Sequence, residues 1–346
     1  MTPRVTAIGI GVLLLALTGA CSSSPRSASH VVRVTGSPST STPATGSAPI
    51  LLAQFDDGVG AVAAGATAPL WRASGAVAAL DGSAVFAIHP GDATTGDRLV
   101  RLEPATGAVT ASWPIAAGRS VSAVAPAGHW VALTDRAPGY GDQGRSETVI
   151  TVFDAAAGHE VTRLKYPGDV LPEAFSVGGT LMFVLDYRGD HYRVQTIEVR
   201  TGDRYDISDR DKQPPEDMHG VAVRGVMSAD RTLLATLYRN PGDTKEPSFV
   251  HVLDLEHGWS YCADLPQPFG TGTIGPGTIA LTPADTVVVS APDAHRLAEI
   301  HIEKVHSPPS TVQVDFRAGT LTPPDAAFRS LPGFENLIGA PGTATA

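Results

Sequence analysis

The sequence predicts an all-β fold, a β-propeller of six four-stranded blades. Two strand signatures alternate along the chain, they recur at intervals of about fifty residues, and glycine or aspartate marks the turn of each repeat. Four-stranded units at this period are typical of propeller blades. No long stretch keeps a helical period of apolar residues. Seven blades, or a two-sheet sandwich, are the alternatives.

An export signal precedes the repeats. Arg4 is followed by an apolar run, Val5–Leu17, which has the length of a signal-peptide core and is too short to span a bilayer. The run ends in small residues before Cys21, and this ending resembles the lipobox of bacterial lipoproteins. The resemblance implies a lipoprotein signal peptide over residues 1–20, with Cys21 as the acylated first residue of the mature chain and palmitate among its lipids. An ordinary secretory signal with a chance cysteine is the alternative.

A tether follows the signal over residues 21–48. It is rich in Ser, Thr and Pro, contains no Asp or Glu, and has too few large apolar groups to offset the entropy of ordering a chain. A flexible segment of this length would hold a folded domain about 30 Å from a membrane. We therefore expect a propeller over residues 49–340 and a disordered tail over 341–346.

The charge of the chain limits its partners. The formal net charge is −10, and residues 49–346 carry −13, because Arg4, Arg26 and Arg33 are the only charged residues before them. An acidic domain argues against nucleic acid as a partner. Arg outnumbers Lys by 21 to 4, a bias common in actinobacterial proteins. We expect the protein to lie on the extracytoplasmic face of the cell membrane, where a lipid on Cys21 would hold it.

Each predicted blade combines an inner pair of strands with an outer hairpin. The inner pairs place small residues before a polar turn, as the crowded axis of a propeller requires, and bulkier residues after it. They are Val77–Ile88, Ser122–Leu133, Phe175–Leu185, Gly225–Leu237 and Ile279–Ser290. The outer hairpins alternate around a glycine turn. They are Leu99–Trp113, Ile150–Leu164, Ile197–Ile207 and Val250–Leu265.

The turn residues of the inner pairs give the period. The markers Gly82, Gly128, Gly179, Asp230 and Asp285 are separated by 46, 51, 51 and 55 residues. Asp81-Gly82 and Asp254 with Gly258 match the blade pattern of the YVTN-type and quinoprotein-like propeller superfamily, which these repeats resemble over most of residues 75–316. The resemblance implies the fold and no particular function.

The two ends of the chain predict a shared sixth blade. Leu321–Asp325 repeats the inner signature of Leu281–Asp285, and Ile50–Val62 reads as an outer hairpin turning at Asp57-Gly58. Inner strands from the C-terminal segment would pair with outer strands from the N-terminal segment. This arrangement closes the ring and leaves no free sheet edge.

The candidate catalytic and cofactor motifs lack the neighbouring elements or residues that each site requires. Gly270–Gly275 fits G-x-G-x-x-G, but prolines precede it and a strand is expected after it, whereas a dinucleotide site needs a strand before and a helix after. His159-Glu160 lacks the second histidine of a zinc motif. Outer hairpins of quinoprotein blades often end in a tryptophan that docks on the next blade. Of the four outer hairpins here, only Leu99–Trp113 ends in a tryptophan, and Trp113 lies two residues beyond the expected docking position. We predict no catalytic residue, no metal ligand and no cofactor.

Loops after the second strands suggest a binding surface. Three of them carry an arginine and two carry a tyrosine, and in a propeller these loops emerge on one face. The candidate ligand-binding residues are Arg136, Arg188, Arg239, Tyr187 and Tyr238. Together they could hold a sugar or an anion. In the alternative, each arginine braces its own loop by pairing with a nearby aspartate.

These observations favour a binding or scaffolding module at the cell envelope, with a protein or carbohydrate partner, over an enzyme. The alternative is a lactonase-like hydrolase with a metal ion in the central channel. That activity would need Asp, Glu and His side chains that converge on the axis.

The anchor can be tested directly. Cys21→Ala should move the protein from the membrane fraction to the soluble fraction, because the lipid supplies the membrane affinity. Cys262→Ala, which removes the other cysteine, should leave the protein in the membrane fraction. Fractionation followed by immunoblotting measures both, and a Cys21→Ala protein that stays processed and membrane-bound would contradict the lipoprotein interpretation.

Overall fold

The computed structural model confirms a six-bladed β-propeller, with the last blade to close built from both ends of the chain. It describes residues 49–91, 96–135, 144–189, 191–209, 218–228, 230–239, 248–265, 269, 278–282, 285–291, 295–303, 309, 312–319, 326–328 and 330–339. Their strands form six sheets of four consecutive strands, two of which carry an additional short strand. No helix in these ranges is long and apolar enough to cross a membrane.

The blades are numbered from the N-terminal end, and within each the strands are given from the innermost outward. Blade 1 contains Phe334–Gly339, Ile50–Phe55, Gly58–Ala63 and Trp71–Ser74. Blade 2 contains Val77–Ala78, Val85–His89, Arg98–Leu102 and Val109–Pro114. Blade 3 contains Ser120–Val124, Trp130–Thr134, Glu147–Asp154 and His159–Pro167.

Blades 4 to 6 follow the same order. Blade 4 contains Asp169–Phe175, Leu181–Arg188, His191–Glu198 and Arg204–Asp206, with Met218–His219 added beside the third strand. Blade 5 contains Val221–Met227, Leu233–Arg239, Ser248–Asp254 and Trp259–Leu265, with Ser208–Asp209 added parallel to the outermost strand. Blade 6 contains Thr278–Leu281, Thr286–Ser290, Arg296–His301 and Gln313–Ala318. Short 3₁₀ helices occupy Pro126–Gly128 and Ala326–Phe328.

Blade 1, the blade shared by both ends of the chain, closes differently from the expected arrangement. Ile50–Phe55 and Gly58–Ala63 form its second and third strands, and Trp71–Ser74 is the outermost strand. The C-terminal segment supplies one described strand, Phe334–Gly339, and the expected strand signature at Leu321–Asp325 lies outside the described residues. The sharing of this blade is confirmed, but the placing of Ile50–Val62 as its outer hairpin was wrong, because Trp71–Ser74 is only four residues long and carries no hairpin signature of its own.

The same inner turn recurs in five blades. A backbone N–H donates to the carbonyl oxygen three residues earlier, and the donor residue has a positive φ between 55° and 70°. The donors are Gly82, Gly128, Gly179, Arg231 and Asp285. Blade 5 therefore uses Arg231 rather than the predicted marker Asp230, so its repeat is offset by one residue. These turns and the outer glycine turns lie at one end of the blades, termed the turn face, and the loops after the second strands lie at the opposite end, termed the loop face.

The hydrophobic core is divided into layers between blades. Five of the six buried apolar clusters of the described residues combine side chains from two consecutive blades. Outer-strand side chains reach across these layers to the next hairpin. The Trp71 indole packs against Gly107 and donates to the Pro104 carbonyl oxygen at 3.1 Å. Trp113 likewise packs against Gly158, although its position in the sequence differs from the expected docking position.

Candidate functional site

Two of the five predicted ligand-binding residues fall where their side chains are not described. Arg136 lies outside the described residues, and so does Cys21. Arg239 ends the second strand of blade 5, but its side chain is not described. The G-x-G-x-x-G segment Gly270–Gly275 also lies outside the described residues. The structure describes the side chains of the other three, Tyr187, Arg188 and Tyr238.

Arg188 lies on the loop face of blade 4 beside a carboxylate. Its Nη2 is 3.0 Å from Oδ2 of Asp186, which also accepts from Nη2 of Arg204 at 2.6 Å. The Asp186 side chain is 9% exposed, whereas that of Arg188 is 46% exposed. This pairing is the local brace that the alternative interpretation expects, yet it leaves much of the guanidinium open to solvent. A ligand-binding role for Arg188 stays a prediction.

Tyr187 and Tyr238 belong to one aromatic cluster. Tyr192 joins them, with ring centroids 5.5 Å from Tyr187 and 5.8 Å from Tyr238. Tyr238 in turn stacks on Phe249 at 5.0 Å with the ring planes 7° apart. Tyr192, Tyr238 and Phe249 are buried, while Tyr187 is half-buried. We term Tyr187, Tyr192 and Tyr238 the tyrosine cluster. In it, one partly exposed ring belongs to the same group as two buried rings.

Sequence reasoning missed Tyr192, although a signal was present. Tyr187 and Tyr192 are direct partners in the hairpin between the second and third strands of blade 4. Side chains of directly opposed residues point to the same face of a sheet and lie within contact distance. A hairpin register in which Arg188 pairs with His191 would have predicted that Tyr187 and Tyr192 lie opposite each other. The contact with Tyr238 crosses to the next blade and leaves no local trace in the sequence.

Both buried tyrosines stay neutral over the physiological range. Burial raises the pKa of Tyr192 and raises that of Tyr238 well above the usual value, and the nearby Glu173 carboxylate raises both further. Their hydroxyl oxygens make no hydrogen bond of ordinary geometry within the described part of the chain. The cluster therefore offers neutral ring faces and hydroxyl groups, not a phenolate nucleophile.

Glu173 lies on the innermost strand of blade 4, near enough to Tyr192 and Tyr238 for its charge to act on both. Pro172 pairs with Val184 and Ala174 pairs with Phe183, so Glu173 is the extra residue of a β-bulge. Although part of the residue is exposed, protein atoms surround its carboxyl group, and this burial raises its pKa to about 7. The same strand position is bulged at Ser122 in blade 3 and at Val223 in blade 5. Of these three positions, only blade 4 carries a titratable group.

The site provides a partly exposed aromatic ring, an arginine–aspartate pair and a carboxyl that changes charge near neutral pH. A carboxyl with such a pKa can accept or donate a proton. Among the described residues, no three His, Cys, Asp or Glu side chains are grouped closely enough to hold a metal ion. The enzymatic alternative stays a hypothesis from sequence.

Comparison with known proteins identifies no family for this chain. No protein-family model matches the sequence, and no curated protein matches it. Solved structures that resemble it include TolB from Acinetobacter baumannii, with 14% identity, 73% of this chain and 60% of that chain covered, and a TM-score of 0.39. A functionally unknown protein from Desulfotomaculum acetoxidans DSM 771 shares 12% identity over 80% of this chain and 81% of that one, with a TM-score of 0.45.

A third similar structure is a putative 6-phosphogluconolactonase from Bacteroides fragilis NCTC 9343. It shares 11% identity over 86% of this chain and 99% of that chain, with a TM-score of 0.38. Similarities this distant do not transfer a ligand or an activity. The assignment of six blades rests on the strand pairing of the chain itself.

Glu173 predicts a pH dependence of stability. Because its pKa is raised to about 7 in the folded protein from 4.5, the folded state binds a proton more tightly than the unfolded state. The free energy of unfolding should therefore fall as pH rises from 4.5 to 7, by on the order of 2 kcal/mol after allowance for partial exposure.

Glu173→Gln removes this titration while keeping a similar shape, and Glu103→Gln, on an exposed turn, is the control. Urea unfolding across that pH interval should show a smaller pH-dependent loss of stability for Glu173→Gln than for wild type and Glu103→Gln. Identical pH profiles for all three proteins would show that Glu173 titrates normally.

Proposed function

We propose that the protein is a lipid-anchored binding module on the extracytoplasmic face of the cell membrane, and that its loop face at blades 4 and 5 binds carbohydrate. The observation that carries the binding part is the tyrosine cluster, together with the Arg188–Asp186 pair that flanks Tyr187 along the same strand. The anchoring part rests on the sequence around Cys21 and on the tether that follows it.

Carbohydrate suits this arrangement of groups. Sugar rings present apolar C–H faces, which pack on aromatic rings, and hydroxyl groups, which pair with planar charged side chains. Tyr187 supplies a partly exposed ring, and its contact with buried Tyr192 restricts its motion before a ligand arrives. A preorganised ring loses less entropy on binding than a free surface side chain.

The charge of the site also favours a neutral ligand over a strongly anionic one. Asp186 is paired with two arginines, and Glu173 gains charge as pH rises through about 7. The domain as a whole carries −13. A neutral saccharide avoids the repulsion that a polyanion would meet here. A scaffolding role toward a protein would use the same face.

A glycan array tests this proposal with the soluble Cys21→Ala protein as the probe. At least one neutral glycan should be retained, and Tyr187→Ala should weaken that binding roughly tenfold, which corresponds to about 1.4 kcal/mol. Tyr205→Ala is the matched control, because Tyr205 is a 53% exposed tyrosine on the outermost strand of the same blade. Tyr205→Ala should bind as wild type does. Equal losses in the two variants, or no retained glycan, would contradict the proposal.

A further inference from the structure

A cavity of about 250 Å³ lies between the outer parts of blades 2 and 3. Blade 2 and the segment that leads into blade 3 form one wall, and the second strand, third strand and outer hairpin of blade 3 form the other. Its lining includes Ile115, Arg119, Leu133, Thr151, Phe153 and Glu160. The cavity is separate in the fold from the tyrosine cluster of blades 4 and 5.

Two polar groups in the wall of this cavity lack hydrogen-bond partners within the described chain. Thr151 is 4% exposed, and its Oγ1 makes no hydrogen bond. Arg119 donates from Nη1 to the Val149 carbonyl oxygen at 3.3 Å, but its buried Nε has no acceptor. Buried polar groups are nearly always paired in native proteins. Two unpaired groups lining one cavity indicate that an acceptor from outside the chain completes them.

The charge around the cavity favours an anionic acceptor. Burial and the neighbouring Arg163 lower the pKa of Arg119, while Asp135 and Glu160 act in the opposite direction. Asp135 is already occupied, because its Oδ1 lies 2.8 Å from Nη2 of Arg145 and accepts from the Val149 N–H. Arg163 pairs with Thr151 in the strand register and so projects on the same side of the sheet. Arg119 is thus the one arginine among the described lining residues, with the exposed Arg163 nearby, and the one carboxylate in that lining, Glu160, lies at an exposed position.

The remaining walls are apolar. Leu133 and Phe153 are buried, and Ile115 is half-buried. Trp113 supports Phe153 from behind, with ring centroids 5.6 Å apart. A small ion without an apolar part would leave these apolar walls exposed to water. The volume accommodates a compact body of one ring or a short aliphatic chain, at the small end of ligand sites.

We propose that this cavity binds a small monocarboxylic acid with an apolar body. Its carboxylate accepts hydrogen bonds from Arg119 and Thr151, and its ring or chain packs on Leu133 and Phe153. The exposed Glu160 disfavours ligands with more than one negative charge. This site does not depend on carbohydrate binding at the loop face.

The probes are benzoate, cyclohexanecarboxylate and hexanoate, with benzamide as the neutral match for benzoate. Ligand-observed NMR and calorimetry on the soluble Cys21→Ala protein should show saturable binding of at least one acid. Benzamide should bind at least tenfold more weakly than benzoate, because it lacks the charge that Arg119 pairs with. Failure of all three acids to bind, or equal binding of benzoate and benzamide, would overturn the proposal.

The affinities of substitution variants test whether the acid binds in this cavity. Thr151→Val and Arg119→Gln should each weaken binding of the acid by tenfold or more. Thr162→Val is the matched control, because Thr162 lies on the neighbouring strand opposite Val152 and is not among the cavity residues. Its affinity should equal that of wild type. Equal affinities for Thr151→Val and Thr162→Val would place the binding elsewhere and overturn the proposal.

Thermal unfolding without ligand separates this role from a structural one. Removal of an unpaired buried hydroxyl relieves a desolvation penalty, so Thr151→Val should unfold at the same temperature as wild type or a higher one. The ligand-dependent increase in unfolding temperature should disappear in this variant. A lower unfolding temperature for Thr151→Val, with the ligand-dependent increase intact, would show that the hydroxyl is satisfied within the folded chain and would overturn the proposal.

Discussion

The contact on which the blade-to-blade packing depends is an outer-strand side chain that fills the space above the turn glycine of the next blade. At Gly107 an added Cβ would lie 2.7 Å from the Trp71 ring, so no other residue fits while the indole stays in place. The contact recurs in three successive pairs of blades. The pairs are Trp71 with Gly107, Trp113 with Gly158, and Leu164 with Gly202. Each turn glycine also needs its positive φ, so one residue meets a conformational and a packing requirement at once.

The described residues show no such contact between blades 4 and 5, and the candidate binding surface lies at that interface. Gly258 occupies the equivalent turn of blade 5, but no atom of the described residues lies within 4 Å of its would-be Cβ. The outermost strand of blade 4, Arg204–Asp206, is only three residues long, and Ser208–Asp209 pairs directly with blade 5. The tyrosine cluster supplies aromatic contact between these two blades nearer the loop face. The other candidate, the cavity of blades 2 and 3, borders a docking contact instead, because Gly158 lines it and Trp113 supports its Phe153 wall.

The sequence predicted what is local and repeated. The inner pairs and outer hairpins follow from alternation and turn residues, and the four outer turn glycines all adopt positive φ. Closure was predicted in kind but not in detail, because four residues at Trp71–Ser74 carry too little pattern to register as a strand. The candidate sites were harder to predict from the sequence. Thr151 reads as an ordinary strand residue, and its lack of a partner depends on which atoms the neighbouring blade brings to it. Tyr192 and Tyr238 meet for the same reason, through packing between blades that no spacing along the chain reports.

The docking contact is tested most directly by Gly107→Ala against Gly258→Ala. Both glycines have a φ of 70°, so both substitutions carry the same cost of about 1 kcal/mol for a left-handed alanine. Only Gly107→Ala also forces a methyl group into Trp71, which should add roughly 1–3 kcal/mol to the loss in the free energy of unfolding. This packing role of Trp71 predicts that urea denaturation will show this difference, and that the difference will shrink when Gly107→Ala is measured in a Trp71→Ala background. Equal losses for the two glycine variants would contradict it.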